Sequence, residues 1–204
     1  MKELIKKIYR QLRPVIMNGE GNQVTSHSKY GSHFQINLNG NNNIVEIAED
    51  CLLTNTIISI SGNNNKVIVD KKARFMGPCR IRMFGNATLH IGENAGIRGV
   101  EFVLDNADIS VGKLCMFSYD IIVRNTDSHR VIQLSDDVIV NKPKDILLGN
   151  HVWIGQGATL LKGIQIGDNS IIAAKSVVTK DCPCNAITAG NPAKIVKTGI
   201  TWDY

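Results

Sequence analysis

The chain has few aromatic residues and no long apolar run. Of its 204 residues, 43% are hydrophobic but only 5% are Phe, Trp or Tyr. This composition argues against a globular core built on aromatic anchors and favours a narrow interior filled by aliphatic side chains. No run of roughly 18 apolar residues is present, and the N-terminal segment lacks a signal-peptide core. We therefore expect no membrane-spanning helix and a cytoplasmic location.

The cysteines and the basic charge also exclude several classes of protein. None of the five cysteines forms a CxxC pair, so metal or disulfide use is not expected, and all but Cys184 lie in contexts typical of small core residues. The five are Cys51, Cys79, Cys115, Cys182 and Cys184. The net charge of +5 suits an anionic ligand. No basic cluster is interleaved with aromatic residues, so nucleic-acid binding is not expected.

A six-residue period runs from Leu148 to Cys182. Its opening aliphatic positions are Leu148, Ile154, Leu160, Ile166, Ile172 and Val178. The fifth position of each repeat holds a residue that is mostly small or β-branched. Period six is neither the helical 3.6 nor a long alternation of two. It predicts a solenoid in which every six residues form one short strand and one corner, with the opening aliphatic stacked inside.

A longer repeat, with an offset of 22 residues, precedes this region. Residues 36–51 and 58–73 match each other, and weaker copies follow at 83–95 and 103–115. Each copy is interpreted as one coil with a slightly enlarged corner, because Asn and Gly adopt positive φ most easily. The stacked asparagines are predicted to form structural ladders along the solenoid axis.

The two ends of the chain and one internal segment depart from the repeat. Residues 2–13 are predicted to form a short basic amphipathic helix that ends before Pro14. It either caps the open end of the solenoid or makes weak contact with a membrane surface. We expect a single domain, with a helix or cap over 1–17, a β-helix over 18–182 and an exit segment over 183–204. A polar insertion near 124–147 interrupts the repeat.

Two side chains stand out as candidates for chemistry. His129 lies in the insertion, where functional residues are usually placed, and an imidazole suits a general base. Asp127 could orient its ring. Trp153 lies between Val152 and Ile154 in a region built of small residues, so it should face outward. From the residues alone, His129 could equally be an ordinary surface histidine, and Trp153 could serve subunit packing.

The repeats, followed by AGNPAKIVK at 189–197, resemble the hexapeptide-repeat acyltransferases. The resemblance implies an all-β, left-handed parallel β-helix, with a histidine on the long loop before the last coils as general base, the place of His129. The TDSH segment followed by HVWIG is most similar to O-acetyltransferases of surface polysaccharides, including those that modify sialic-acid capsules. An acetyl-CoA-dependent transfer to a saccharide hydroxyl is therefore expected.

The resemblance also implies a set of binding residues and an assembly. The expected acetyl-CoA residues are Trp153, Gln156, Ala174, Thr179, Lys180, Lys194 and Lys197. Trp153 and Arg130 are expected to contact the saccharide acceptor. Relatives often carry Arg at the last two lysine positions, and Lys offers phosphate a point charge instead of a bidentate fork. A homotrimer with sites between subunits is implied, and no metal is expected.

Three other functions remain to be weighed. The acceptor could be a small molecule, such as a free sugar, an antibiotic or serine. The chain could also be a non-catalytic scaffold, for which the regular Asn corners would be suitable. A metal-dependent hydratase resembling the γ-class carbonic anhydrases would need three His ligands on neighbouring coils, and no pair of histidines here has that spacing.

Overall fold

The structure, a computed structural model, describes residues 14–203 as a parallel β-solenoid of about eight turns. The expected all-β parallel β-helix is confirmed, and no helix occurs within the described residues. The predicted helix at 2–13 lies outside them. Residues 15–17, which the sequence assigned to the N-terminal cap, belong to the first strand of the solenoid. No helix in the described part of the chain is long and apolar enough to cross a membrane.

Residues 14–203 form 23 strands, numbered β1 to β23 in chain order, which stack into three sheets. Sheet A contains β1 (Val15–Asn18), β3 (Gln35–Asn39), β6 (Thr56–Ser61), β9 (Cys79–Met83), β12 (Val100–Leu104), β15 (Ile121–Arg124), β18 (Thr159–Leu161) and β21 (Val177–Val178). Sheet B contains β2 (Gln23–Ser26), β4 (Ile44–Ile47), β7 (Lys66–Val69), β10 (Thr88–Ile91), β13 (Ile109–Val111), β16 (Ile146–Leu148) and β19 (Ile164–Ile166). Sheet C contains β5 (Leu52–Leu53), β8 (Arg74–Phe75), β11 (Gly96–Ile97), β14 (Met116–Phe117), β17 (Trp153–Ile154), β20 (Ile171–Ile172), β22 (Ala186–Gly190) and β23 (Ala193–Thr198).

The chain passes from sheet A to sheet B to sheet C in each coil, so the solenoid has three edges. We call them the A–B, B–C and C–A edges after the sheets that they join. All strand pairs are parallel except β22 with β23, which returns antiparallel at the C-terminal end of sheet C. Functional side chains can therefore be placed by sheet, edge and coil.

The interior of the solenoid follows the six-residue period. The predicted inward positions from Leu148 to Val178 are at most 4% exposed, and the small fifth positions are buried as well. Phenylalanine contributes more to the core than its scarcity suggests, because Phe75, Phe102 and Phe117 are fully buried. Stacked inward side chains remove apolar surface from water along the whole axis, which is the main stabilising contribution in such a fold.

The predicted asparagine ladder is confirmed. The Asn43 side-chain amide donates to Asn22 Oδ1 at 3.1 Å, and that of Asn65 donates to Asn43 Oδ1 at 3.0 Å. The ladder ends there, since the residue aligned with Asn65 in the next coil is Ala87. Asn65 Oδ1 is buried and has no hydrogen-bond partner among the described residues.

Candidate functional site

The insertion leaves the solenoid at the A–B edge, between β15 and β16. Its root is buried: the Asn125 side-chain amide donates to the Ala107 carbonyl at 2.6 Å. The Lys144 amide donates to the Asn125 carbonyl at 3.1 Å and closes the neck. Between these points, Ile132 and Ile139 pair as an antiparallel bridge. We call residues 125–145 the insertion loop, an arm that projects from the edge with its apolar side chains largely exposed.

Three polar side chains clamp the loop over the next coil. Lys162, on the following turn of the A–B edge, forms an ion pair with Asp127 and donates to the Asn141 carbonyl at 2.8 Å. The Asn141 side-chain amide donates to Asp127 and to the His129 carbonyl, each at 2.8 Å. We call Asp127, Asn141 and Lys162 the loop clamp. It ties the two limbs of the loop together and holds the backbone of His129.

The Asp127 carboxylate therefore contacts the other two members of the clamp, Lys162 and Asn141. The hydrogen bond from Lys162 is the largest cause of its lowered pKa, and Asn141 adds to the effect. In the described contacts, the His129 ring has no hydrogen bond, to Asp127 or to any other group, and its side chain is exposed. Asp127 is therefore connected to the His129 backbone through Asn141 and does not contact the imidazole.

Arg124 supports the same segment from sheet A. Its Nε donates to the Thr126 carbonyl at 2.9 Å and its Nη2 to Ser128 Oγ at 3.2 Å. Ser128 has a φ of 64°, so the chain turns sharply before His129. This arrangement defines the backbone path on which the imidazole is presented.

Trp153 faces outward from sheet C, as predicted, and is 37% exposed. It is flanked by Trp202, whose ring lies 6.0 Å away and whose indole N–H donates to the His151 carbonyl at 2.8 Å. The rings of His151 and Trp202 stack at 4.1 Å, and His151 Nδ1 lies 3.0 Å from Asn169 Oδ1. His151 therefore anchors the C-terminal segment beside Trp153.

The sequence-predicted site residues fall into two groups in a single chain. Asp127, His129, Arg130, Thr179 and Lys180 lie at the A–B edge. Trp153, Gln156, Ala174, Lys194 and Lys197 lie on sheet C or at the C–A edge. Sheet A separates the two groups. Every residue of both groups is exposed, and a single chain does not bring the two groups together.

The glycine before Gln156 is required by the stacking of the coils. Gly155 is buried, and a Cβ built there would lie 2.6 Å from the Ala174 backbone nitrogen in the next coil. Its small size therefore permits coil stacking. Ala174 and Gln156 are exposed at the C–A edge, where the backbone is accessible to an extended ligand.

Buried thiols cannot act as nucleophiles here. Burial raises the pKa of Cys115 to about 12, and also raises the pKa of Cys51 and of Cys79. The described residues contain no group of three or more His, Cys, Asp or Glu side chains that could hold a metal ion.

Sequence reasoning did not single out the residues that support the site. Lys162, Asn141 and Trp202 are brought to His129 and Trp153 by coil stacking and by the return of the tail. A lysine in a six-residue repeat and an asparagine in a polar loop give no local signal. Trp202 was detectable only as one of two tryptophans in the chain.

Comparisons with known proteins agree with the fold described above. The family model for the bacterial transferase hexapeptide (six repeats) matches residues 145–180 of the chain. The chain is 33% identical over 176 residues to a polysialic acid O-acetyltransferase from Neisseria meningitidis, covering 82% of this chain and 79% of that protein. It is 35% identical over 104 residues to a polysialic acid O-acetyltransferase from Escherichia coli O1:K1, covering 51% of this chain but only 34% of that protein's length.

Solved structures show the same fold. That of the polysialic acid O-acetyltransferase OatWY superposes with a TM-score of 0.89 at 30% identity, covering 93% of this chain and 91% of that one. A galactoside acetyltransferase in complex with coenzyme A has a TM-score of 0.50 at 25% identity, covering 71% of this chain and 64% of that one. The extent of these matches confirms the resemblance drawn from the repeats: the chain belongs to the hexapeptide-repeat acetyltransferases, in the family that includes the polysialic acid O-acetyltransferases.

Proposed function

We propose that the protein transfers an acetyl group from acetyl-CoA to a hydroxyl of an anionic surface polysaccharide, with polysialic acid as the first acceptor to test. The observation that carries this proposal is the near full-length similarity to polysialic acid O-acetyltransferases. The exposed His129 and Trp153, in the places that the family resemblance implies, support it. The galactoside enzyme's complex with coenzyme A supports the donor.

In the proposed reaction, His129 acts as general base. A ring nitrogen takes the proton of the acceptor hydroxyl as the oxygen attacks the thioester carbonyl of acetyl-CoA. The tetrahedral intermediate collapses with loss of the CoA thiolate, which receives that proton from the imidazolium. Direct transfer is favoured over an acyl-enzyme, because the Cys79 and Cys115 thiols are buried with raised pKa values, and the exposed Cys184 lies at the B–C edge, away from both groups of site residues. The His129 ring, with no partner among the described residues, is available to the acceptor.

The donor is proposed to lie along sheet C and the C–A edge. Exposed backbone near Gln156 and Ala174 can bind the pantetheine amides. Lys194 and Lys197, both exposed on β23, can pair with the phosphates. Thr179 and Lys180, at the A–B edge, are proposed to reach the adenine and ribose of the donor from the neighbouring chain of the assembly. Trp153 and Arg130 are proposed for the acceptor.

The division of the site between two edges supports a homotrimer. In a closed ring, the A–B edge of one chain can face sheet C of the next, so His129 and Trp153 would complete one site from two chains. The left-handed sense of the β-helix and a cytoplasmic location belong to the same proposal. So does the N-terminal helix as a cap or weak membrane contact.

The test is acetyl transfer from acetyl-CoA to polysialic acid by wild type and His129→Ala. Loss of a general base should lower kcat by about 100-fold or more. Binding of acetyl-CoA, measured by calorimetry, should be unchanged. His27→Ala is the matched control, because His27 is also exposed but lies near the N-terminal end of the solenoid.

Two results would contradict the proposal. Turnover of His129→Ala within about tenfold of wild type would remove the base assignment. Failure of wild type to bind acetyl-CoA would remove the transferase function. Activity on a small sugar but not on polysialic acid would replace the acceptor and retain the chemistry.

A further inference from the structure

The outer face of sheet C carries a single column of side chains that runs through Trp153. In register from the C-terminal end, the column is Lys197, Ile187, Ile171, Trp153, Met116, Gly96, Arg74 and Leu52. Two basic residues, Lys197 and Arg74, therefore flank the stretch that contains Trp153. The proposed donor residues occupy only the Lys197 end. The Arg74 end has no role in the chemistry described above.

Gly96 makes a gap in this column. A Cβ built on Gly96 has no heavy atom within 4 Å, whereas a Cβ on Gly92, Gly112 or Gly155 would meet the backbone of the next coil at less than 3 Å. Gly96 therefore does not serve coil stacking. It leaves a shallow depression in the outer face between Met116 and Arg74.

Arginines are concentrated in the coils that contain this depression, and two of them, Arg74 and Arg98, lie next to Gly96. Four of the eight arginines in the chain fall between residues 74 and 98. Arg82 is paired with Glu101 at 2.8 Å. Arg74 on sheet C, Arg98 at the C–A edge and Arg80 on sheet A are exposed, and in the described part of the chain their guanidinium groups have no ion pair or hydrogen bond.

An unpaired guanidinium offers a planar fork that matches a carboxylate, and it is less strongly hydrated than an ammonium. Two unpaired guanidinium groups beside the depression at Gly96 form an anion-binding surface. Arg74 is three strands from Trp153, about 14 Å at the usual spacing between strands. This distance is longer than one sugar ring, so only an acceptor of several residues could contact both.

We propose that Trp153, Met116, Gly96, Arg74 and Arg98 form an acceptor track that binds successive carboxylate-bearing residues of a polyanionic saccharide. The track rests on the proposed function and extends it. It places the acceptor chain on the N-terminal side of Trp153, with the donor on the C-terminal side. The enzyme then selects long anionic chains over short ones, because only long chains reach Arg74 and Arg98.

The first experiment removes the charge of the track. Arg74→Gln/Arg98→Gln is compared with wild type on sialic acid oligomers of increasing length and on polysialic acid. We expect kcat/KM on the polymer to fall by about tenfold or more, with kcat at saturation and activity on the shortest accepted oligomer unchanged. The loss should shrink as salt is added, because salt screens the wild-type interaction. Lys71→Gln/Lys113→Gln, at the B–C edge, removes the same charge from another surface.

The second experiment fills the groove without changing charge. Gly96→Leu places a side chain in open space at a strand position, so the fold should be retained. It should reduce kcat/KM on the polymer and leave acetyl-CoA binding unaltered. Arg74→Lys, which retains the charge, should keep most of the activity that Arg74→Gln loses.

Direct binding separates this proposal from the proposed function. Wild type and two variants, Arg74→Gln/Arg98→Gln and Gly96→Leu, are tested for binding to immobilised polysialic acid and to an uncharged polysaccharide. Binding by wild type that is lost in both variants, even without transfer, supports the track while the transferase proposal fails. The track is overturned if wild type does not bind polysialic acid. It is also overturned if the variants lose short and long acceptors equally, or lose no more than the control.

Discussion

His129, the proposed base, can act only where the insertion loop presents it, so we expect the loop clamp to control activity at the residue scale. Lys162 contacts both limbs of the loop, through Asp127 and the Asn141 carbonyl. Asn141 carries that restraint to the His129 backbone. A loss of positioning by even a fraction of an ångström lowers the rate of a proton transfer strongly.

We predict that Lys162→Met lowers kcat by about tenfold through loss of His129 positioning, with the KM for acetyl-CoA unchanged. Lys162→Arg retains a cation and should recover most of the activity. Steady-state kinetics with acetyl-CoA as the varied substrate measure both parameters. A change confined to KM would show that Lys162 serves the donor and does not position the base.

The clamp should also open in acid. The pKa of Asp127 is lowered in the folded chain, from an ordinary value of 3.8, chiefly by Lys162. The pairing therefore stabilises the loop fully above the ordinary value and is lost as the pH falls through the lowered one. The Val131 amide, which donates to Asn141 Oδ1, reports on the clamp in hydrogen exchange. We expect it to lose protection only at a pH below the ordinary pKa of an aspartate carboxyl, because the pKa of Asp127 is lowered. Equal protection in Asp127→Asn at every pH would contradict this account.

At the scale of the element, the asparagine ladder shows how coils are joined beyond their backbone bonds. Each rung satisfies the buried oxygen of the coil below, and Ala87 leaves the last oxygen, on Asn65, without a partner among the described residues. A buried acceptor without a hydrogen-bond donor destabilises the fold. A donor at position 87 would therefore extend the ladder by one residue and satisfy this oxygen.

We predict that Ala87→Asn stabilises the protein by about 1 kcal/mol, because the new amide can donate to Asn65 Oδ1, while its own Oδ1 would face Ala107, which is only partly buried and open to water. Asn43 and Asn65 already fit at the aligned positions of neighbouring coils, so the site can hold this side chain. Urea denaturation measures the change. The control is Ala87→Val, which adds a side chain comparable in size to asparagine but with no hydrogen-bond donor, and which should not stabilise the protein. An equal stabilisation by Val and Asn would refute the role of the hydrogen bond.

At the scale of the whole molecule, the split site makes a prediction about mixed assemblies. His129→Ala and Trp153→Ala should each be nearly inactive alone. If a site takes His129 from one chain and Trp153 from the next, random assortment of an equal mixture restores about a quarter of the sites. Transfer activity after joint refolding or co-expression measures this. No recovery in assemblies shown to be mixed would place both residues of a site in one chain.

The sequence alone determined the class of fold and its inner and outer faces. The six-residue period predicted which residues from Leu148 to Val178 are buried, since a strand's alternation and a corner's steric limits act on each repeat locally. It placed His129 in an insertion and Trp153 on an outer face for the same reason. The family resemblance came from the same repeats.

Only the tertiary structure decided which side chains act together. Lys162 contacts Asp127 across 35 positions of sequence, and Trp202 contacts His151 across 51, because stacking and the returning tail bring them into contact. The separation of His129 from Trp153 by sheet A depends on which side of the triangle each residue occupies. The column from Lys197 to Arg74 depends on strand register. A local period carries no record of contacts between coils, so these features emerge only when the coils are stacked.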